Sequence, residues 1–216
     1  MLVIGSKNRS SWSLRPWLLM TESNIAFEEH YLPFHLPKWR EHIKPLSPAG
    51  KVPVLIAGTL PIWDSLAICE YLAESHPEKH LWPADVAARA RARAICCEMH
   101  SGFMELRTHC SMRLAEAMPA PEMTPALLRD IARIEDIWHV SLQVSGGPYL
   151  FGPQVTIADA MFAPVVSRFT TYGIAVKPVT EAYMKAIWEL DGMEQWRKGA
   201  HAEVAAGVHL AMPPKE

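Results

Sequence analysis

Four short clusters in the first 70 residues are of types that could do chemistry. Ser10-Ser11-Trp12-Ser13 puts hydroxyls between a short apolar segment, Leu2 to Ile4, and a helical pattern. A serine O–H there can donate to a thiolate and favour the ionised thiol, helped by the positive end of the helix dipole. Val52-Pro53 stands at the mouth of a strand, where proline cannot donate a ladder hydrogen bond. A cis peptide at that point would leave the Val52 N–H and C=O free to pair with a peptide-like ligand, as a strand would. Asp64-Ser65 opens a helix, whose unpaired N–H groups suit a carboxylate, and the Ser65 hydroxyl adds a donor. Lys38 and Lys51 could hold a second carboxylate, Lys51 directly beside Val52. Each cluster has an ordinary alternative: a trans proline at a strand start, plain helix caps, solvated lysines. The residues alone leave these alternatives open.

Other chemistries are poorly served. There is no G-x-S-x-G elbow and no glycine-rich phosphate loop. His76 and His80 have the best metal spacing, but Pro77 lies between them and no third ligand is near, so no metal is expected. The 216 residues carry 21 Lys and Arg against 23 Asp and Glu, a net charge of −2. That lacks the basic surplus that nucleic acid or an acidic membrane would call for. No apolar run approaches the ~18 residues that cross a bilayer. The N-terminal apolar stretch reaches polar Ser6-Lys7-Asn8-Arg9 too soon for a signal peptide. Cys69, Cys96, Cys97 and Cys110 make no CxxC pair, which reads as reduced thiols of a cytoplasmic protein. Arg89, Arg91 and Arg93 form an RARAR run that suits a solvated or ion-paired helix surface.

Two halves of different grammar must position these residues. The first alternates strand and helix signals: Leu2 to Ile4 (strand), Leu14 to Met20 (helix, with Pro16 in its first turn), Ala26 to Pro33 (strand), and Pro37 to Ile43 (short helix or turn). Val52 to Ile56 and Thr59 to Trp63 read as a hairpin around Ala57-Gly58, and Asp64-Ser65 opens the last helix. The order is β-α-β-α-β-β-α, with a right-handed parallel βαβ start and an antiparallel edge. After His76 to Pro83 the strand signals stop. A long helical run from Val86 to about Met118, a helix from Thr124 to about Val144, a capping-box spacing at Thr156 to Asp159, and two shorter helices near 179–189 and 193–200 follow. The tail from His201, ending Pro213-Pro214-Lys215-Glu216, is weakly specified. Trp12 and Trp39 fall in loops beside the proposed site, and Met99, Phe103, Met104 and Leu106 would pack a helix or line an apolar pocket.

The order of the motifs is specific. Gly50-Lys51-Val52-Pro53-Val54-Leu55, then Trp63-Asp64-Ser65-Leu66-Ala67-Ile68-Cys69-Glu70-Tyr71-Leu72, then an all-α half with Thr156-Ile157-Ala158-Asp159-Ala160, resembles the cytosolic glutathione S-transferases over roughly residues 1–200. Asn8-Arg9-Ser10-Ser11-Trp12-Ser13 is similar to the serine–serine–cysteine–serine start of the zeta class, which includes maleylacetoacetate isomerase, with Trp12 in place of the cysteine. The resemblance implies an α/β thioredoxin-like N-terminal domain (residues 1–77), a linker (78–85) and an all-α helical-bundle domain (86–216) with an electrophile pocket. It implies glutathione as co-substrate, with no metal. Val52-Pro53 would be cis, with the Val52 backbone on the cysteinyl part of glutathione. Asp64 and Ser65 would hold the γ-glutamyl end, and Lys51, assisted by Lys38, would approach the glycyl carboxylate. Ser11, or else Ser10, would donate to the sulfur. Family members are homodimers as a rule; Trp12, Phe103, Met104 and Arg107, placed by their position beside the cleft and not by a family motif, would touch the electrophile. The activity implied is a serine-type glutathione transferase acting on a small electrophile. The alternatives are a glutathione-dependent cis–trans isomerase, with Arg107 clamping a substrate carboxylate, and a non-catalytic glutathione- or partner-binding protein.

Overall fold

A computed structural model describes residues 1–208. The chain starts with β1 (Leu2–Ile4), whose three apolar residues are all fully buried. A strand buried on both faces belongs in the middle of a sheet, and β1 sits there. It pairs in parallel with β2 (Glu29–Tyr31) and antiparallel with β3 (Val54–Ala57), which pairs in turn with β4 (Leu60–Ile62). The sheet order is β2-β1-β3-β4. Side chains alternate across a strand. Val3 and Val54 therefore join Leu32, Phe34, Trp39 and Ile43 on one face. Leu2, Ile4 and Leu55 join the other face, whose core runs on into the helices of the second half.

On that second face lie α1 (Ser11–Glu22) and α3 (Ser65–Ser75), while α2 (Trp39–Ile43) covers the first. Helix α1 starts at Ser11, so Pro16 falls in its second turn and not its first, where its missing N–H leaves the Trp12 carbonyl without its helical partner. The second strand is shorter than the sequence suggests, because only Glu29 to Tyr31 meet β1 in register. Trp12 and Trp39 lie within the first turns of α1 and α2, not in loops.

The long helical run breaks in two. Helix α4 (Val86–Ser101) ends at Gly102, and Phe103 takes a left-handed conformation (φ 58°) before α5 (Met104–His109). A side chain at Gly102 would bring a Cβ within 2.7 Å of the Glu98 carbonyl oxygen, so the turn needs glycine. Residues 110–124 cross to α6 (Pro125–Ser145) without a helix. Helices α7 (Ile157–Thr171), α8 (Pro178–Trp188) and α9 (Asp191–Ala205) complete the bundle. Helix α9 runs five residues into the segment that the sequence leaves weakly specified; Pro213 to Glu216 lie outside the described residues.

The start of α7 is set by Asp159, wholly buried on its first turn. Its Oδ2 accepts the Thr156 N–H (2.8 Å) and the Thr156 hydroxyl (2.9 Å). Its Oδ1 accepts the Leu150 N–H (2.9 Å) and the Tyr183 hydroxyl (3.2 Å). Helix α7 packs against both α1 and α4 and so joins the two halves. Among the described residues, no helix is long and apolar enough to cross a membrane.

Candidate active site

A cavity of about 650 Å³ opens where the β1–α1 loop, α2 and the turn before β3 face the α5 region and α7. That size suits a small-molecule site. Its wall includes Ser10, Ser11, Trp12, Trp39, Lys51, Val52, Arg107 and Met112.

The two serines differ. Ser10 is the N-cap of α1: its hydroxyl accepts the Ser13 N–H (3.3 Å) and donates to the Ser13 hydroxyl (2.8 Å). Ser13 in turn accepts the Gly5 N–H (3.2 Å). Ser10 is thus committed to closing the loop onto the helix. Ser11, first residue of α1 and also buried, makes no side-chain hydrogen bond to any described residue and lines the cavity. A buried hydroxyl without a partner is available to a ligand.

The Val52–Pro53 peptide is cis, and Val52 lies on the cavity wall with no backbone hydrogen bond to the described residues. Lys51 lies beside it. Asp64 caps α3, accepting the Leu66 N–H (3.0 Å) and the Ala67 N–H (3.3 Å), and its Oδ2 lies 2.9 Å from His100 Nε2 of α4. The Ser65 hydroxyl is buried without a partner. Neither Asp64 nor Ser65 lines the large cavity; Asp64 connects to it through His100, whose ring meets Trp12 edge-on at 5.2 Å.

Trp12 is the hub of the domain junction. The Arg15 guanidinium lies 4.1 Å and that of Arg107 4.9 Å from its ring, a cation–π arrangement on the side chain that stands where the resembling motif has cysteine. Arg15 is wholly buried, and burial together with Arg107 and Arg168 pushes its pKa down to about 9. Burial and Arg107 bring Arg168 down to about 10, and burial lowers Arg107.

Three sequence expectations for the site meet different geometry. Lys38 does not line the cavity; it has a left-handed backbone (φ 56°), and its side chain is 73% exposed and 3.5 Å from Glu41. Phe103 turns into the core and Met104 points outward, 61% exposed, because the helix stops at Gly102 and Phe103 takes a left-handed backbone before α5. Arg107 reaches the cavity, but its guanidinium caps the end of α4, donating to the carbonyls of Met99, His100 and Gly102 (2.9 Å to Gly102). The sequence reading missed Arg9, Arg40, Lys44 and Arg168, all on the wall. Among the described residues of the wall, these with Lys51 and Arg107 make six basic side chains and no acidic one, in a chain whose net charge is −2. The Arg9 Nε is buried without a partner, and burial and Arg113 lower its pKa. No periodic pattern marks these residues, since they come from four distant segments.

Residues 9–75 match the family model described as glutathione S-transferase, N-terminal domain, and residues 87–200 match that of the C-terminal domain. The chain belongs to the glutathione S-transferase family. A maleylacetoacetate isomerase of Rattus norvegicus is 30% identical over 182 residues, covering 82% of each chain. A probable maleylacetoacetate isomerase of Caenorhabditis elegans is 29% identical over 176 residues, again with 82% of each covered. Among solved structures, a glutathione transferase homologue from Burkholderia with bound glutathione has a TM-score of 0.70 at 24% identity, covering 93% of this chain and 97% of that one. The transferase fold thus extends over both halves of the molecule, with the cavity at their junction.

Proposed function

We propose that the protein is a serine-type glutathione transferase in which Ser11 stabilises the thiolate of bound glutathione. The observation that carries this is the contrast between Ser10, committed as a cap, and Ser11, buried on the cavity wall at the first turn of α1 with a free hydroxyl. The Val52 backbone then pairs with the cysteinyl part, Lys51 faces the glycyl carboxylate, and Asp64 and Ser65 take the γ-glutamyl end. Lys44 and Arg40 line the cavity, which Lys38 does not.

The thiol releases its proton to solvent, the Ser11 O–H donates to the sulfur, and the thiolate attacks an electrophilic carbon. A C–S bond forms and the leaving group departs with its electron pair. A hydrogen bond to a charged acceptor contributes about 1.5–3 kcal/mol, or roughly one to two pK units on a free thiol near 8.5. Serine stays protonated throughout.

A second reading, glutathione-dependent cis–trans isomerisation, is favoured by the charge of the cavity. Arg9, Lys44, Lys51, Arg107 and Arg168, with no acidic side chain among the described residues of the wall, suit an acidic electrophile. The thiolate adds to an activated double bond, rotation follows, and the C–S bond breaks again. Arg9, with its unpartnered buried Nε, fits the substrate carboxylate better than Arg107, which is engaged with α4. The relatives named maleylacetoacetate isomerase support this reading. We also propose a homodimer in the cytoplasm, checked by light scattering on the purified chain and by fractionation.

The test titrates glutathione into wild type, Ser11→Ala and Ser10→Ala, recording binding heat and thiolate ultraviolet absorbance. Ser11→Ala should bind and lose the thiolate signal. Ser10→Ala should keep the signal and lose about 1 kcal/mol of stability as a lost cap. Full thiolate absorbance in Ser11→Ala refutes the assignment. Turnover of an unsaturated dicarboxylate, without turnover of neutral aryl or alkyl halides, selects the isomerase.

A further inference from the structure

Helix α9 reaches across the domain boundary to the loop that leads into Ser10 and Ser11. The Glu203 carboxylate, buried there, accepts four hydrogen bonds. Its Oε2 takes the Ser6 hydroxyl (2.5 Å) and the Asn8 N–H (3.1 Å), and its Oε1 the Lys7 N–H (2.5 Å) and the Tyr31 hydroxyl (2.9 Å). Two turns earlier on the same helix, Trp196 Nε1–H donates to the Lys7 carbonyl (2.6 Å). Between them lies Gly199, where an added Cβ would overlap the Lys7 side chain, so glycine lets the helix close on the loop. Positions 196, 199 and 203 share one helix face. That face holds the Lys7 peptide by its N–H, its C=O and its side-chain stem.

The restraint passes directly to the serines. The Ser6 carbonyl accepts the Ser10 N–H (2.8 Å), and the Ser6 hydroxyl oxygen accepts the Arg9 N–H (3.2 Å) while its proton goes to Glu203. Glu203 therefore sets where Ser6 sits, and Ser6 sets where α1 begins. Glu203 lies nearly two hundred residues from the loop in sequence and lines no part of the cavity.

We infer that Glu203 is a positioning residue for thiolate activation: it holds residues 6–10 so that the Ser11 hydroxyl faces the glutathione sulfur. This rests on the serine reading above. The required accuracy is high, because a displacement near 1 Å at a reacting group can cost on the order of a hundredfold.

Glu203→Gln keeps the volume but replaces one acceptor oxygen with an NH₂ group, which faces either the Lys7 or the Asn8 N–H. The measurement is the pH midpoint of thiolate absorbance in the glutathione complex of the full chain. It should rise by about one unit, a tenfold loss of thiolate on the acid side, while the glutathione Kd changes less than about threefold. A residue that only ties helix to loop would lower the melting temperature and leave the midpoint where it was. An unmoved midpoint in Glu203→Gln, with a raised one in Ser11→Ala, overturns the inference and leaves the serine reading standing. An unmoved midpoint in Ser11→Ala overturns the two together. Should Glu203→Gln not fold, Ser6→Ala removes the relay itself. The midpoint should then move the same way by about half a unit, and no movement overturns the inference.

Discussion

Replacing Asp159 by asparagine tests how the first turn of α7 is held. The carboxylate accepts four hydrogen bonds, two on each oxygen, from Leu150, Tyr183 and both the N–H and hydroxyl of Thr156. Asparagine keeps one oxygen, so two of the four donors lose their acceptor and face an NH₂ group. Each buried unsatisfied donor costs about 1–3 kcal/mol, giving roughly 2–6 kcal/mol. Two effects reduce this. A hydroxyl donor can turn toward another acceptor, and a neutral amide escapes the burial that raises the Asp159 pKa above 3.8 against the pull of its donors. The expected loss is about 2–4 kcal/mol, read as a lower urea midpoint at unchanged slope and fixed protein concentration. A pH series adds a sign. The folded state binds the Asp159 proton more tightly than the unfolded chain does. The wild-type contribution is therefore fullest below pH 3.8 and declines as pH rises through the raised folded value. The asparagine variant lacks that slope, so its deficit should be larger in acid than at neutral pH. A loss under about 0.5 kcal/mol, the range of an ordinary surface substitution, refutes the account of these bonds.

Two further predictions concern the packing that supports the site. Gly192→Ala would set a Cβ 2.7 Å from Glu22 Oε1 and 2.8 Å from Leu18 Cδ1, where α9 starts on α1, and should lower stability by about 1–3 kcal/mol in a thermal melt. Glu70 of α3 is partly buried, but hydrogen bonds from Arg93 and Trp82 hold its carboxyl below its usual 4.5. That contribution is present above pH 4.5 and lost as pH falls through the folded value. Glu70→Gln should therefore cost about 0.5–1 kcal/mol at neutral pH, with the difference from wild type closing below pH 4.5 in matched denaturation curves.

Local order carried much of this protein. The β-α-β-α-β-β-α start, the capping spacing at Thr156 to Asp159 and the placement of Val52-Pro53 before a strand depend on neighbours in the chain, and short-range pattern reports short-range structure. The break at Gly102 escaped because the apolar spacing from Val86 to Met118 continues on both sides of it. Only the contact a side chain would make with the Glu98 carbonyl shows why the helix stops. That unbroken pattern places Phe103 and Met104 on a helix that could line the pocket, and the turn moves both.

The sequence by itself determined the family, the two-part architecture and the group of hydroxyl, carboxylate and lysine residues from which the site is drawn. Tertiary structure alone decided which serine is committed, since Ser10 comes within hydrogen-bond reach of Ser13 and Ser11 does not. It alone gathered Arg9, Arg40, Lys44 and Arg168 onto one wall and brought Glu203 onto the loop before the serines. The physical reason is the same throughout. Periodicity and capping are properties of adjacent residues, whereas an electrostatic field or a buried carboxylate's partners are sums over whatever the fold brings within a few ångströms.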